Sequence, residues 1–226
     1  MKIFVAVPVR GRELEVDAAK CLLDEQLVAL LGGDEIRTVI LPKCSIVYLG
    51  RNQLATDFLA SDCDRLFFLD SDVSWRDPGA LLKVAKAPAD VVGGAYRYKQ
   101  FAEAYPVGWL PKPELWANEH GLLEVDTMPT GFLAISRAAL ERFAAAYPRP
   151  YDHHGHALQA FFHAPYDPVH GLSTEDAVFC REWRAIGGSV WLDPMIHLTH
   201  HDGGVTYRGC IGDWLRARVP APAEAA

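Results

Sequence analysis

Arg65-Leu66-Phe67-Phe68-Leu69-Asp70-Ser71-Asp72-Val73 runs four apolar residues without a break into two carboxylates. An uninterrupted apolar run of this length suits a strand buried on both faces of a parallel sheet. Asp70 and Asp72 come where that strand ends, and in open α/β sheets ligands sit at the carboxyl ends of the strands. Alternate residues of an extended chain point the same way, so the two carboxylates converge. Aimed at one point, they repel unless a cation lies between them. A hard divalent ion bridging to substrate phosphates fills that role. The competing reading is a strand that ends in an acidic turn, since Asp and Ser are ordinary turn formers.

Outward from this strand the chain alternates. Lys2 to Val9 predicts a first buried strand, stopped by Pro8 and by the Arg10-Gly11-Arg12 turn. Residues 13–31 predict a helix in which Val16, Ala19, Leu23, Leu27, Leu30 and Leu31 recur near helical spacing, closed by Gly32-Gly33. Residues 38–41 read as a second strand, 45–49 as a strand or loop, and 51–62 as a helix with Leu54, Phe58 and Leu59 as its buried stripe. A helix over 79–86 and a strand over 90–96 follow Asp72. Gly93 and Gly94 inside that strand suggest close backbone approach or a bulge. Residues 99–124 read as long loop with a hairpin, 131–135 as a strand, and Ser136 as the cap of a helix to Ala146. Residues 149–171 read as irregular. A helix capped by Ser173 or Thr174 then runs to Ile186, and strands follow at 189–192 and 196–199. This alternation predicts strand–helix–strand units and a parallel sheet. No repeat or linker divides the chain, so residues 1–219 read as one domain and 220–226, rich in Pro and Ala, as a disordered tail.

Composition narrows the function. A formal charge of −7 argues against nucleic acid as a partner, because phosphate backbones need a basic stripe. It leaves room for a nucleotide held through a metal. Cys21, Cys44, Cys63, Cys180 and Cys210 are odd in number and scattered, which suits reduced thiols in a cytoplasm rather than a disulfide framework. The apolar start is too short for a signal peptide, and no run approaches a membrane span.

Several pieces stand in order: Arg51-Asn52 ahead of the acidic strand, Asp70-Ser71-Asp72, Pro129-Thr130-Gly131-Phe132, Glu175-Asp176 at a helix start, and His200-His201-Asp202-Gly203. This order resembles the GT-A type nucleotide-sugar glycosyltransferases, in the broad neighbourhood of family 2, over nearly the whole chain. The resemblance implies a Rossmann-like α/β fold with a mixed, mainly parallel sheet flanked by helices. It implies that the first strand, through Pro8, and Arg51 hold the nucleotide, with Arg10, Ser71 and Gly94 as further donor contacts and Thr130-Gly131 lining the donor sugar. It also implies a UDP- or GDP-sugar donor and a Mn²⁺ or Mg²⁺ ion held by Asp72, Asp70 and a histidine after the last strand. His201 is the expected histidine, because it stands in a His-x-Gly sequence. The loops that choose donor and acceptor match no subfamily.

The chemistry asks for the same residues. Sugar transfer needs the leaving diphosphate neutralised, which Asp72 does through a metal. It also needs the acceptor hydroxyl deprotonated, the role expected of Asp176. The plainer reading of Glu175-Asp176 is as acids favoured in a first helical turn. Asp70 reaches the ribose or supports the metal through water. His153, His154, His156, His163 and His170 raise a zinc site, although a flexible acceptor loop fits their irregular spacing better. The alternatives are a metal-dependent nucleotidyltransferase, against which stands the want of a Gly-rich basic loop after the first strand, and a non-catalytic nucleotide-sugar or carbohydrate-binding protein.

Overall fold

The computed structural model describes residues 1–111, 115–168 and 171–218. His170 and the expected tail at 220–226 lie outside the described residues. The first half of the chain forms β1 (Lys2–Pro8), α1 (Val16–Leu31), β2 (Glu35–Leu41), α2 (Val47–Ala60), β3 (Arg65–Leu69), β4 (Val73–Trp75), α3 (Ala80–Ala85) and β5 (Val91–Gly93). The second half forms β6 (Leu123–Val125), β7 (Phe132–Ser136), α4 (Arg137–Ala146), β8 (Pro150–His153), β9 (His156–Gln159), β10 (Tyr166–Asp167), β11 (Gly171–Leu172), α5 (Glu175–Ala185), β12 (Val190–Leu192), β13 (Leu198–Asp202), β14 (Val205–Gly209) and α6 (Ile211–Arg216).

The unbroken apolar runs of β1 and β3 are explained by burial on both faces. Phe4, Ala6, Leu66 and Phe68 turn to one side, where Leu54 and Phe58 of α2, Phe143 of α4 and Trp183 of α5 pack. Ile3, Val5, Val7, Phe67 and Leu69 turn to the other, against Leu22 of α1 and Leu81 and Val84 of α3. Each fully buried Phe here contributes about 1.5–3 kcal/mol relative to exposure. The sheet has the order β2-β1-β3-β7-β5-β12-β6. β1 pairs in parallel with β2 and β3, and β5 with β12, while β7 and β6 run against their neighbours. The sheet is therefore mixed and mainly parallel, with helices on both faces, as expected.

Several local expectations give way. Residues 47–49, read as strand or loop, are the first turn of α2, so Arg51 lies a turn inside that helix. The predicted strand at 90–96 shortens to β5. The strand expected from Ile196 begins at Leu198 and leaves the central sheet: β13 pairs with β4 on one side and β14 on the other. The irregular stretch holds the β8–β9 hairpin, whose turn residues His154 and Gly155 have φ of 53° and 81°, the positive values a two-residue hairpin turn needs. His163 lies 3.3 Å from Glu182 Oε1, so the histidines of this region do not gather at one point among the described residues. None of the described helices is long and apolar enough to cross a membrane.

The largest departure is the face of α1. Val16, Leu23, Leu27, Leu30 and Leu31 point outward, while Ala18, Leu22, Glu25 and Ala29 point in. Glu25 explains the choice. Its carboxylate is fully buried and accepts from Trp75 Nε1 (3.1 Å), Gly79 N (2.9 Å) and Leu82 N (2.8 Å). It thereby serves the start of α3, where no side-chain cap is present. Replacing Glu25 with Ala leaves two buried donors and one part-buried donor without this partner and is expected to cost about 3 kcal/mol or more. A urea midpoint within error of the wild type's would refute this account of the helix's orientation.

Candidate active site

Parallel pairing brings the ends of β1 and β3 to one edge of the sheet. Antiparallel β7 brings its start there too, with Phe132 opposite Leu69 and Asp70 N donating to Gly131 O at 3.0 Å. The N-terminus of α5 meets the same edge, capped by Thr174, whose side chain accepts from Ala177 N. Asp70, Thr130, Glu175 and Asp176 therefore converge from three elements.

Arg51 holds them together. Only 3% of its side chain is exposed. Nη2 donates to Asp70 Oδ1 at 2.8 Å, and Nη1 to Asp176 Oδ1 at 3.2 Å and to Glu175. Burial alone would lower the Arg51 pKa, but the three carboxylates outweigh it and raise it. Arg51, expected at the nucleotide, has its guanidinium turned to the acids. Asn52 is likewise internal, accepting from Phe161 N and Phe162 N and donating to Phe162 O. Both Asp70 oxygens are taken, Oδ1 by Arg51 and Oδ2 by the Tyr96 hydroxyl at 3.1 Å. Asp70 also lines the cavity that holds Asp72, and its side chain is about one-fifth exposed.

Asp176 sits deeper. Thr130 Oγ1 donates to its Oδ1, so Thr130, itself 1% exposed, holds the acid rather than lining a sugar subsite. Burial raises the Asp176 pKa to about 6, helped by Glu175 and Asp70 and opposed by Arg51 and Thr130. Burial also lifts the Tyr96 hydroxyl well above its ordinary value, with Asp70 and Asp176 adding to the effect. Gly131 is required by this crowding. A Cβ there would collide with the Asp70 carboxylate and stand 2.7 Å from the Tyr96 hydroxyl. Gly94, expected near the donor, is buried instead, and a Cβ on it would stand 3.2–3.3 Å from Leu198 and Ile196.

Asp72 faces a different set of groups. Lys99 Nζ lies 2.7 Å and His200 Nε2 3.5 Å from its Oδ2. Burial works to raise this carboxyl, but His200 and Lys99 outweigh it and hold it at about 2. The histidine expected here was His201. The structure turns His201 to the other side of β13, where Nε2 shares a hydrogen bond of 2.8 Å with Ser74 Oγ and Nδ1 lies 3.6 Å from Glu15 Oε1. The register His200↔Val73 makes the difference, since neighbours on a strand face opposite ways. His200 Nδ1 lies 2.8 Å from Arg97 O. A carbonyl only accepts, so Nδ1 carries a proton, and Nε2 is the ring nitrogen turned toward Asp72. One carboxylate and one imidazole nitrogen so placed fit a divalent cation that takes its remaining ligands from phosphate and water. Lys99 carried no motif in the sequence.

Two cavities meet here. One, of about 350 Å³, is lined by Pro8, Arg10, Ser71, Asp72 and Glu175 among others. The second, of about 500 Å³, is lined by Tyr96, Tyr98, Val107, Met128 and His200 among others. Asp176 lines both.

No protein-family model and no curated protein matches the sequence. Among solved structures the chain is similar to A197 from STIV, with a TM-score of 0.54 and 20% identity over 89% of this chain and 85% of that one. GalNAc-T7, solved with UDP, GalNAc and Mn²⁺, gives 0.49 at 11% identity, covering 88% of this chain and 43% of that one. TarS of S. aureus gives 0.45 at 11% identity, covering 85% and 35%. The fold is of the GT-A type. The strand order and the likeness to A197 carry that statement, which concerns architecture alone.

Proposed function

We propose that the chain is a metal-dependent glycosyltransferase, moving a sugar from a nucleoside diphosphate-sugar to an acceptor hydroxyl with inversion. The observation that supports this most is the position of Asp176, a part-buried carboxylate shared by both cavities. A single displacement needs such a group between donor and acceptor.

In this reading the donor takes the cleft at Pro8, Arg10 and Ser71, and the acceptor takes the cavity bordered by Tyr96 and Tyr98. Asp176 Oδ accepts the acceptor's proton as its oxygen attacks the anomeric carbon, and the bond from that carbon to the diphosphate oxygen breaks. Arg51, Thr130 and Tyr96 keep Asp176 and Asp70 in place. Asp72 and His200 would hold a divalent ion, which would supply Lewis-acid stabilisation of the leaving diphosphate. The five free thiols support a cytoplasmic setting.

UDP or GDP with Mn²⁺ is expected to raise the melting temperature, by an amount matching about 2.7 kcal/mol at a hundred times the dissociation constant, and EDTA to abolish the effect. With a productive donor, kcat/KM is expected to fall as pH drops through about 6, where Asp176 takes up a proton and ceases to be a base. No melting shift with any nucleoside diphosphate in Mn²⁺ or Mg²⁺ would sink the reading. A flat profile between pH 5 and 8 would remove Asp176 from the role of base.

A further inference from the structure

Lys99 belongs to a loop held by its neighbours rather than by its own side chain. Tyr98 N donates to Ala104 O at 3.0 Å, and the Arg97 guanidinium donates to the carbonyls of Phe101 at 3.0 Å and Arg208 at 3.2 Å. From this fixed base a flexible four-carbon stem carries the ammonium to Asp72 Oδ2, at 2.7 Å. That oxygen is also the one nearest His200 Nε2. The positive charge of Lys99 therefore stands where the donor set of Asp72 and His200 would place a divalent ion. An ammonium and a divalent ion on the same carboxylate oxygen repel each other strongly at that range. Lysine, unlike arginine, is a compact point charge whose stem swings readily to a new anion.

We propose that Lys99 makes metal binding conditional on the donor: its ammonium occupies the Asp72 oxygen in the free protein and is drawn off by the incoming diphosphate. Ion and nucleotide then enter together. This rests on the metal-dependent reading above. Without nucleotide, the ion meets an Asp72 that is free only in the small fraction of molecules whose Lys99 has swung away. Its apparent affinity is reduced by that fraction. With nucleotide, the diphosphate supplies a second anion for the ammonium, and the gain in metal affinity must equal the gain in nucleotide affinity that metal confers.

The test is Mn²⁺ binding followed by the EPR signal of the free ion, with and without saturating UDP or GDP. It compares the wild type with Lys99→Met and Lys99→Arg. Lys99 is about one-third exposed, and melting curves check that both variants fold. Lys99→Met is expected to bind Mn²⁺ about tenfold more tightly than wild type without nucleotide, as for a carboxylate freed from nine-tenths occupancy. The enhancement by nucleotide shrinks correspondingly. Lys99→Arg keeps the charge and stays near wild type. A damaged site would lose Mn²⁺ affinity, so a gain cannot come from misfolding. If Lys99→Met binds no more tightly than wild type while nucleotide still enhances Mn²⁺ binding, the proposal fails and the metal-dependent reading stands. If wild type binds neither Mn²⁺ nor nucleotide, both fail.

Discussion

Asp176→Asn is expected to keep its affinity for UDP or GDP and lose sugar transfer by about 10²-fold or more, the usual worth of a general base. The two effects separate because the groups that line the donor cleft away from α5, such as Pro8, Arg10 and Ser71, are untouched by the change. The amide keeps the shape of the carboxylate, and its carbonyl oxygen still accepts from Thr130 and Arg51. What it lacks is the ability to take a proton. The acid limb near pH 6 should vanish with the base that causes it. Near wild-type transfer by this variant would reduce Asp176 to an acid that serves the N-terminus of α5 and the Arg51 cluster.

The second large effect concerns Arg51. Arg51→Met removes the one guanidinium that bridges Asp70, Glu175 and Asp176 and leaves three part-buried carboxylates facing one another. Breaking a buried pair from the cationic side typically costs about 3–5 kcal/mol, and this site holds three acids. The cost should depend on pH. Asp176 is already raised in the folded protein, and Arg51 is the largest influence that opposes the rise, so without Arg51 the folded variant binds the extra proton. Its deficit is then full at high pH and shrinks as pH falls. Urea unfolding at pH 8 and pH 5.5 reads both features. A variant as stable as wild type at pH 8, but with weakened nucleotide binding, would restore the simpler role first expected of this residue.

The sheet and its helices were legible because burial on two faces leaves a direct mark. β1 and β3 read as unbroken apolar runs, and Ser136 stood before its helix as a capping residue whose hydroxyl does accept from Ala139 N. The acids at the carboxyl edge were legible for the same reason, since Asp70 and Asp72 end a strand of known direction. Partners across long sequence separations were not. Arg51 reaches Glu175 and Asp176 over more than a hundred residues, and nothing local to Arg51 distinguishes an acid-binding arginine from a phosphate-binding one. The choice between His200 and His201 depended on register against β4, which belongs to the pairing and not to either segment. The outward face of α1 misled because its leucines keep helical spacing, while the inward face is decided by one buried glutamate whose partners begin at Trp75. Lys99 lies in a loop without periodicity, so only its distance to Asp72 reveals it.

The small sheet β14-β13-β4 has a practical consequence. β13 and β14 form a hairpin turned by Gly203 and Gly204, with φ of 53° and 94°. In the pairing this hairpin touches β4 and no strand of the central sheet. It nevertheless brings His200 to Asp72. The His200 side of the cleft is thus built on a graft-like module, whereas Asp176, Arg51 and Asp70 are built into the scaffold. Exchanging the hairpin tip beyond Leu198, or moving its imidazole by one position, offers a way to change the groups that face Asp72 while the acid cluster and the sheet beneath it stay as they are.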